Sequence, residues 1–247
     1  MERMRIAEGK SDAILDIEVV PESRGGQVED RLVQWGLDLM KSKGISIARL
    51  RIEGTNKWKL GVAKDHAFEE RYRVYDLARH GTEALPVMPQ VSGIRLERQM
   101  LKDSSDEEVV WMNDLLNATF MDHFNSVPHT PDRLIGMRDL GRDEYLVTLA
   151  MGEGGPAGIC LTELSSEFNR QTGSRSGWVV MLGVMPERRG AGIGRLLLTD
   201  GMNWLLEKGM DSLNISVIAK NEKAMSLYTS LGFMKEQEAI WHERPTS

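Results

Sequence analysis

Residues Val184 to Leu198 read V-M-P-E-R-R-G-A-G-I-G-R-L-L-L. An apolar run that begins at Trp178 leads into this stretch, and a leucine-rich segment follows its alternate glycines. This order predicts a strand, a glycine turn and the start of a helix. Backbone N–H groups at a helix N-terminus have no partner within the helix, and the helix dipole adds partial positive charge there. The stretch therefore predicts an anion-binding site.

The side chains of this turn support the same interpretation. Gly190, Gly192 and Gly194 carry no Cβ, so a diphosphate can lie against the backbone. Arg188 and Arg189 supply formal positive charge beside it, and the alternative for both is a solvated surface arginine. The turn lacks the G-K-[ST] ending of a nucleotide-binding P-loop, so a phosphotransfer enzyme is disfavoured.

Composition excludes several classes of protein. A chain of 247 residues suits one large or two modest domains. A net charge of −6 argues against a general nucleic-acid or anionic-membrane partner. The single cysteine, Cys160, lies in an apolar run and is expected to be a buried structural thiol. No apolar run reaches the ~18–20 residues that span a bilayer, and no signal-like segment follows the amino terminus, so we expect a cytoplasmic protein without membrane contact.

Hydrophobic periodicity predicts an α/β chain. Residues 1–12 are polar and predict little. For the first part of the chain we predict a strand at 13–20, a helix from Arg24-Gly25-Gly26 to about 42, a strand at 45–52, a helix to about 64 and a strand at 68–77. One buried face of the first helix is assigned to Val28, Leu32, Trp35, Leu39 and Met40.

Residues 81–93 contain two prolines and two glycines and are the expected linker. Beyond it we predict a strand at 94–100, helices at 104–120 and 131–140, a hairpin of 144–151 with 157–162, a polar loop at 165–176, a helix to about 208, a strand at 212–218, a helix at 221–230 and a last strand to 240. The expected domains are 1–80 and 94–247.

The chain also repeats itself. A shift of 165 residues aligns a 50-residue window with eleven identities, where unrelated sequence gives about three. The matched residues of the first copy are Val19, Pro21, Glu22, Arg24, Gly25, Leu32, Gly36, Lys43, Gly44, Asn56 and Phe68. Nothing before Ala13 corresponds to residues 94–165, so the first copy is partial, either through truncation or natively.

Two motifs give a resemblance to a known family. Arg189, Gly192 and Gly194 match the R-x-x-G-x-G turn of the GNAT acetyltransferase superfamily, and V-x-P precedes it at Val184. The second signature, N-x-x-A-x-x-x-Y-x-x-x-G-F, stands as Asn221, Ala224, Tyr228, Gly232 and Phe233. The resemblance covers 94–245 as a complete unit and 13–78 as a partial one, similar to tandem GNAT proteins of the mycothiol synthase type. It implies a GNAT fold, a mixed and mostly antiparallel sheet flanked by helices.

The resemblance implies acetyl-CoA as co-substrate and no metal. Its diphosphate would bind the N–H groups of Arg189, Gly190, Ala191, Gly192, Ile193 and Gly194, and its pantetheine arm would pair with the strand edge at Leu182, Gly183 and Val184. Asn221 would hold the pantetheine or the adjoining turn; its alternative is a helix cap. Tyr228 would protonate the departing thiolate; its alternative is core filling.

The general base is the least determined role. The strand W-V-V-M-L-G-V before the turn contains no acid. Glu163, at the end of the preceding strand, is the candidate, and an exposed rim carboxylate is its alternative. Asp122 and His123 are weaker candidates, and water could accept the proton instead.

The first copy lacks the residues that the second uses. Gly192 aligns with Gln27 and Gly194 with Glu29, whose carboxylate would repel a diphosphate at the helix N-terminus. Tyr228 aligns with Ala63, so the leaving-group acid is missing. We therefore predict that the first copy is structural.

The resemblance favours an N-acetyltransferase that acts on a primary amine of a small molecule. A protein N-terminal or lysine acetyltransferase is the nearer alternative, and an acetyl-CoA-binding regulatory module without turnover is the alternative from another class. The partial first unit would leave a sheet edge that needs cover, which keeps a homodimer open.

Overall fold

The computed structural model describes residues 4–7, 10–25, 27–83, 87–123, 128–141 and 143–247. Gly26 of the predicted first turn and residues 84–86 of the predicted linker lie outside this range. The strands are β1 Met4–Ala7, β2 Lys10–Ile14, β3 Ile47–Glu53, β4 Glu69–His80, β5 Arg95–Met100, β6 Glu144–Gly152, β7 Gly155–Leu164, β8 Ser176–Val184, β9 Ser212–Ile218 and β10 Met234–Pro245. The helices are α1 Gln27–Ser42, α2 Lys57–Asp65, α3 Asp106–Phe120, α4 Asp132–Leu140, α5 Ser166–Thr172, α6 Ile193–Glu207 and α7 Glu222–Ser230.

Contacts divide the chain into two units. The first consists of Met1–Asp76, Val217–Glu222 and Lys235–Ser247, and its strand order is β1-β2-β3-β10-β4. The core packs one face of α1 against β3, with Val33, Ala48 and Ile52 almost fully buried. The Asn56 side chain accepts the backbone N–H of Lys59 at 3.1 Å and so caps α2.

The buried face of α1 differs from the predicted one. Val33, Leu37 and Met40 are buried, whereas Val28, Leu32 and Trp35 are exposed. Only Met40 of the predicted face was assigned correctly as buried. The helix is apolar at two sets of positions, both with helical spacing, so periodicity alone could not tell which set faces the sheet.

Three other boundaries also differ from prediction. The strand predicted at 13–20 is β2, Lys10–Ile14, because pairing with β1 and β3 begins earlier in the chain and ends sooner. The polar loop predicted at 165–176 contains the two-turn helix α5, which ends at Gly173 with a φ of 72°. The last strand extends to Pro245 because it pairs with β3 along its whole second half.

The second unit consists of Leu77–Ser216 and Lys223–Met234. Its strands β9, β8, β7, β6 and β5 lie in that order, antiparallel except for the β8–β9 pair. The predicted hairpin is β6 and β7, and the predicted helix start is a capping box between Ser105 and Glu108. The expected α/β architecture with a mixed, mostly antiparallel sheet flanked by helices is therefore confirmed.

A buried ion pair fixes α6 on the second sheet. Asp200 is 2% exposed and accepts three hydrogen bonds from the Arg98 guanidinium, at 2.6, 3.0 and 3.2 Å. The Thr148 hydroxyl donates to the same carboxylate at 2.9 Å. Because a buried carboxylate is costly without such partners, these contacts fix the helix above β5 and β6.

The repeat is visible in the elements themselves. The bounds of β3, α2 and β4, shifted by 165, fall on those of β9, α7 and β10 residue for residue. The pairing, however, is exchanged: β10, the last strand of the second copy, pairs antiparallel with β3 of the first. The compact units therefore do not coincide with the ranges 1–80 and 94–247, which remain a prediction about repeat units.

Among the residues that the structure describes, no helix has both the length and the hydrophobicity needed to cross a bilayer.

We predict that Gly201→Ala destabilises the second unit. A Cβ at Gly201 would lie 2.5 Å from the Thr162 hydroxyl, which is fully buried. The free energy of unfolding, measured by urea titration, should fall by about 1–3 kcal/mol. The matched control is Gly136→Ala in α4, where a Cβ meets nothing within 4 Å; it should raise stability by up to about 1 kcal/mol. Equal effects of the two changes would contradict the packing argument.

Candidate cofactor and active site

The candidate site begins where two parallel strands part. β8 pairs with β9 from Ser176–Ser212 to Val179–Ile215, and the register ends there. On its other edge β8 has a bulge, because Leu161 pairs with Met181 and Thr162 pairs with Val179, which leaves Val180 extra. Within the described residues, the β8 edge that faces β9 has no strand partner from Val180 to Val184.

The glycine turn lies directly beyond this open edge. Gly190 and Gly192 have φ values of 83° and 85°, which only glycine adopts readily. Gly194 has no such constraint, and a Cβ there would meet nothing closer than 3.6 Å. Neither the backbone nor packing therefore requires glycine at 194, and its absent side chain leaves space above the helix N-terminus.

Nothing in the described residues neutralises that N-terminus. α6 has no side-chain cap and no acidic residue in its first turn. By contrast, α3 has three acidic residues there and a complete capping box. Gly190, Ala191 and Gly192 are exposed. The expected anion site thus has exposed backbone and an uncompensated dipole, which fits the diphosphate of a coenzyme.

Arg189 does not point toward this space. Its Nη1 and Nη2 donate to Asp122 at 2.5 and 2.8 Å, a second bond from Nη2 reaches the Thr119 carbonyl at 2.9 Å, and Nε donates to the Val184 carbonyl at 3.1 Å. The guanidinium therefore joins the end of α3 to the end of β8. Phosphate contact by the Arg189 side chain, expected from the sequence, would have to break these bonds.

The aligned arginine of the first copy makes a similar hydrogen bond. Arg24, which aligns with Arg189, donates through Nε to the Val19 carbonyl at 2.9 Å. Its guanidinium lies over the Trp58 ring, 4.3 Å from the centroid. Since the arginine of both copies donates through Nε to the carbonyl five residues before it, it has a structural role in each.

Other cations remain near the α6 turn. Arg188 is exposed, and its guanidinium lies 3.3 Å from where a Cβ of Gly154 would be. Sequence reasoning missed Arg195 in the first turn of α6, whose guanidinium donates to the Ser230 hydroxyl at 2.5 Å. Its position directly after Gly194, the last glycine of the motif, could have identified it from the sequence.

Tyr228 lies next to β7 from the side of α7. It is buried, and burial together with nearby Cys160 raises the pKa of its hydroxyl above the ordinary tyrosine value. Cys160 pairs with Leu182, so this neighbourhood is at the height of the open β8 edge. Burial raises the pKa of Cys160 to about 12, which confirms the inert structural thiol.

Gly183 and Asn221, which were both assigned to the pantetheine arm, lie in different surroundings. A Cβ at Gly183 would lie 2.0 Å from the Thr119 hydroxyl, so the absence of a side chain at Gly183 lets α3 pack closely against β8. Asn221 directly precedes α7 and donates its backbone N–H to the Ile218 carbonyl at 2.8 Å. Its counterpart Asn56 is a helix cap; the pantetheine contact of Asn221 stays a prediction.

Glu163 lies away from the glycine turn. It pairs with Trp178, six residues before Val184 on β8, a separation of about 20 Å. It is two residues from Leu161 on β7 and so shares a face with it; because Leu161 packs in the core beside α3 and α4, Glu163 faces the side of the sheet opposite Cys160. Ser165 donates to it at 3.0 Å, and it lines an open cavity of about 660 Å³ beside α5.

The two weaker base candidates differ in their charge. The Arg189 guanidinium lowers the pKa of Asp122 to about 2, so this carboxylate is a poor proton acceptor. Burial, and then the charge of Arg189, lowers the pKa of His123, which favours a neutral imidazole. Its ring lies edge-on to Phe120, 5.0 Å between centroids.

The corresponding turn of the first unit is closed by its own side chain. Glu29, 5% exposed, accepts the Gly25 N–H at 2.7 Å and the Trp58 indole N–H at 3.1 Å. The cleft beside it, lined by Leu15 and Ile17, which align with Val180 and Leu182, measures about 10 Å³. That volume holds one water molecule.

These features agree with comparisons to known proteins. Residues 112–233 match the Acetyltransferase (GNAT) family, so this part of the chain is a GNAT domain. It is 29% identical over 237 residues to mycothiol acetyltransferase of Thermobispora bispora, covering 93% of this chain and 75% of the relative. It is 28% identical over 192 residues to that of Stackebrandtia nassauensis, covering 74% of this chain but only 58% of the relative.

Solved structures give the same fold over nearly the whole chain. A GCN5-related N-acetyltransferase from Sphaerobacter thermophilus superimposes with a TM-score of 0.75 at 19% identity, covering 99% of this chain and 76% of that one. A tandem GNAT protein from the clavulanic acid biosynthesis pathway gives 0.74 at 16% identity, with coverages of 100% and 78%. At these identities the likeness concerns the fold.

We predict that the Asp122–Arg189 pair makes stability depend on acid pH. The folded pKa of Asp122, about 2, lies below its unfolded value of roughly 3.9. The pair therefore stabilises the fold above that value, and its contribution is lost as the pH falls through 2. Asp122→Asn should lower the melting temperature at pH 7, and the gap to wild type should close between about pH 4 and 2.

Thermal melts at low ionic strength measure this gap. The control is a double-mutant cycle, because Asp122→Asn should have no further effect in an Arg189→Gln background. A gap that persists in that background would mean that Asp122 acts through another partner.

Proposed function

We propose that this chain is an acetyl-CoA-dependent N-acetyltransferase that transfers the acetyl group directly to a primary amine of a small molecule. The observation that carries the proposal is the open edge Val180–Val184, which leads to an uncapped glycine turn and has Tyr228 near Cys160, at the height of Leu182. Family membership and relatives whose printed name is mycothiol acetyltransferase support acetyl transfer.

The backbone supplies the binding in this proposal. The N–H groups from Arg189 to Gly194 would hold the diphosphate, with Arg188 and Arg195 as the nearest available cations. The pantetheine amides would pair with Leu182 and Val184, as an added strand does at a sheet edge. This arrangement uses the missing side chain at Gly194, for which packing offers no other reason.

Acetyl-CoA supplies an activated thioester, and the protein supplies a proton donor and a proton acceptor. The amine nitrogen forms a bond to the carbonyl carbon, the carbon–sulfur bond breaks, and the thiolate takes the proton of the Tyr228 hydroxyl. Tyr228 suits this role because its hydroxyl carries a proton at neutral pH and lies near Cys160, which pairs with Leu182 of the open β8 edge. The amine gives its own proton to a base on the acceptor side.

For that base we propose Glu163, acting through water. It lies on the α3 and α4 face, opposite the face of Cys160 and Tyr228, so acid and base would act from two sides of the sheet. The neutral His123 is the second candidate.

A regulatory module that binds acetyl-CoA without turnover is the competing function. The distance of about 20 Å along β8 between the level of Glu163 and the turn favours it, because β8 itself contains no acidic residue. The location of Tyr228 near Cys160, which pairs with Leu182 of the open β8 edge, favours the enzyme.

A thiol-release assay with acetyl-CoA across a panel of primary amines tests the proposal. Tyr228→Phe should reduce kcat by about 10²–10⁴-fold with little change in KM for acetyl-CoA, because only proton donation is lost. Tyr75→Phe, in the first unit, is the matched control and should keep full activity. Acetyl-CoA binding without turnover of any amine would support the module, and full activity of Tyr228→Phe would exclude this residue as the acid.

We also expect one acetyl-CoA to bind per chain, because Glu29 already occupies the first turn. Gly194→Glu copies that arrangement into the second turn and should weaken binding at least ~100-fold. Gly194→Gln has similar bulk without the charge and should weaken it less. Isothermal titration measures both, and two molecules per chain would show that the first unit still binds.

A further inference from the structure

The cavity of about 660 Å³ beside α5 lies on one face of the second sheet. Glu163, Trp178 and Asn214, which line it, are register partners across β7, β8 and β9, so their side chains share a face. Leu161, two residues before Glu163, packs in the core beside α3 and α4, so this is the face from which the acceptor would come. The volume is that of a small-molecule pocket.

The strongest hydrogen-bond donors of the cavity are already used within the protein. The Asn214 side-chain nitrogen donates to the Ser176 hydroxyl at 2.8 Å and to the Gly177 carbonyl at 3.0 Å. The Arg175 guanidinium donates through Nε to Asp211 at 2.8 Å. A ligand in this cavity therefore meets few donors that it could use.

Acceptor oxygens, by contrast, remain available. Asp143 accepts the Glu167 backbone N–H through Oδ1 at 3.1 Å, and both bonds from Arg175 go to Oδ2 of Asp211. Within the part of the chain that the structure describes, no hydrogen bond reaches the other oxygen of either carboxylate. The cavity thus suits a ligand group that donates hydrogen bonds and accepts none, which is the character of an ammonium group.

Aromatic side chains favour the same kind of group. Phe168 of α5 is 53% exposed, and it lines the cavity together with Trp178. The Asn169 amide fixes α5 there, because it donates to the Ser176 carbonyl at 2.8 Å and accepts the Ser176 N–H at 2.9 Å. An ammonium group is attracted to the face of an aromatic ring as well as to a carboxylate.

The charges around the cavity are mostly negative. Asp143, Glu163 and Asp211 line it, against the single guanidinium of Arg175. The neighbouring Tyr145 responds to this charge: burial, and then the charges of Glu163 and Asp143, raise the pKa of its hydroxyl, whereas Arg133 lowers it by less. A positively charged ligand is therefore favoured over a neutral or an anionic one.

The cavity begins near the point that a pantetheine arm would reach. That arm has about a dozen chain atoms, as many as four residues of backbone, and spans roughly 14 Å when extended. Counted back from Val184, it ends at the level of Val180. The strand register places Asp143 at the level of Ser176, roughly 10–13 Å farther along the sheet.

We propose that this cavity binds the second ammonium group of a diamine or polyamine acceptor, whose other amine is acetylated at the level of Val180. Asp143 and Asp211 accept hydrogen bonds from the distant ammonium group, and Trp178 and Phe168 contact the chain between the two nitrogens. The inference rests on the proposed acetyl transfer, and it adds the chemical class of the acceptor and the spacing of its two amines.

A series of α,ω-diaminoalkanes with three to twelve carbons, each compared with the monoamine of equal length, tests the spacing. The ratio of kcat/KM for diamine over monoamine should reach at least ~10 near eight carbons, where the nitrogens are roughly 11 Å apart. A ratio near one at every length would overturn the proposal.

A charge removal locates the distant group. Asp143→Asn keeps the oxygen that accepts the Glu167 N–H but removes the charge, so it should lower the ratio measured with 1,8-diaminooctane and octylamine several-fold. Asp114→Asn, which removes the same charge from an exposed position on α3, is the matched control and should keep the wild-type ratio. Equal ratios in the two variants would exclude Asp143 as the partner of the second amine.

Binding without turnover separates this inference from the proposed function. Isothermal titration of 1,8-diaminooctane and octylamine into the full chain, with CoA present, requires no acetyl transfer. Tighter binding of the diamine that Asp143→Asn abolishes, without turnover of any amine, would keep the cavity assignment and exclude the enzyme. Turnover of monoamines and diamines at equal rates would keep the enzyme and overturn the cavity assignment, as would a diamine that does not bind.

Discussion

An anion site built from main chain works only while no side chain covers it. At the start of α6 this condition holds: Gly192 and Gly194 add no atoms above the helix N-terminus, and no acid stands in its first turn. At the start of α1 the same backbone is covered by the Glu29 carboxylate, which accepts the Gly25 N–H. Two glycines of the second turn, Gly192 and Gly194, are replaced by Gln27 and Glu29 in the first, and Glu29 is the side chain that covers the backbone. The bond from Arg24 or Arg189 to the carbonyl five residues before it is present in both turns.

The open edge of β8 indicates what kind of ligand the turn would bind. The bulge at Val180 falls where pairing with β9 stops, so the strand both bends and loses its partner at one place. An extended ligand that starts at the turn would run along this edge toward Cys160 and Tyr228. The acceptor would come from the face covered by α3, whose end is tied to the turn through Asp122 and Arg189. In the proposed reaction, cofactor and acceptor surfaces are therefore joined by one ion pair.

The sequence predicted what depends on local chemistry. Glycines, caps and the spacing of Asn221 and Tyr228 identified the turn, the helix starts and the family, because each reflects a backbone requirement within a few residues. It could not predict which side of α1 is buried, since Val28 and Val33 belong to equally apolar rows. Nor could it show that Arg189 turns to Asp122, 67 residues away, or that Glu163 stands far along β8 from the turn. Those facts depend on tertiary packing that no local pattern records.

The pairing of β10 with β3 has a consequence for how the chain folds. β3 ends at Glu53, yet its partner begins at Met234, so the first sheet cannot be completed until nearly the whole sequence has been synthesised. Such a non-local contact slows folding because the loop between the strands must close first. Until then β3 exposes an unpaired edge next to an apolar core, the kind of surface that chaperones recognise and that aggregates when it is left bare. The first sheet therefore needs a strand from the second copy before it is complete.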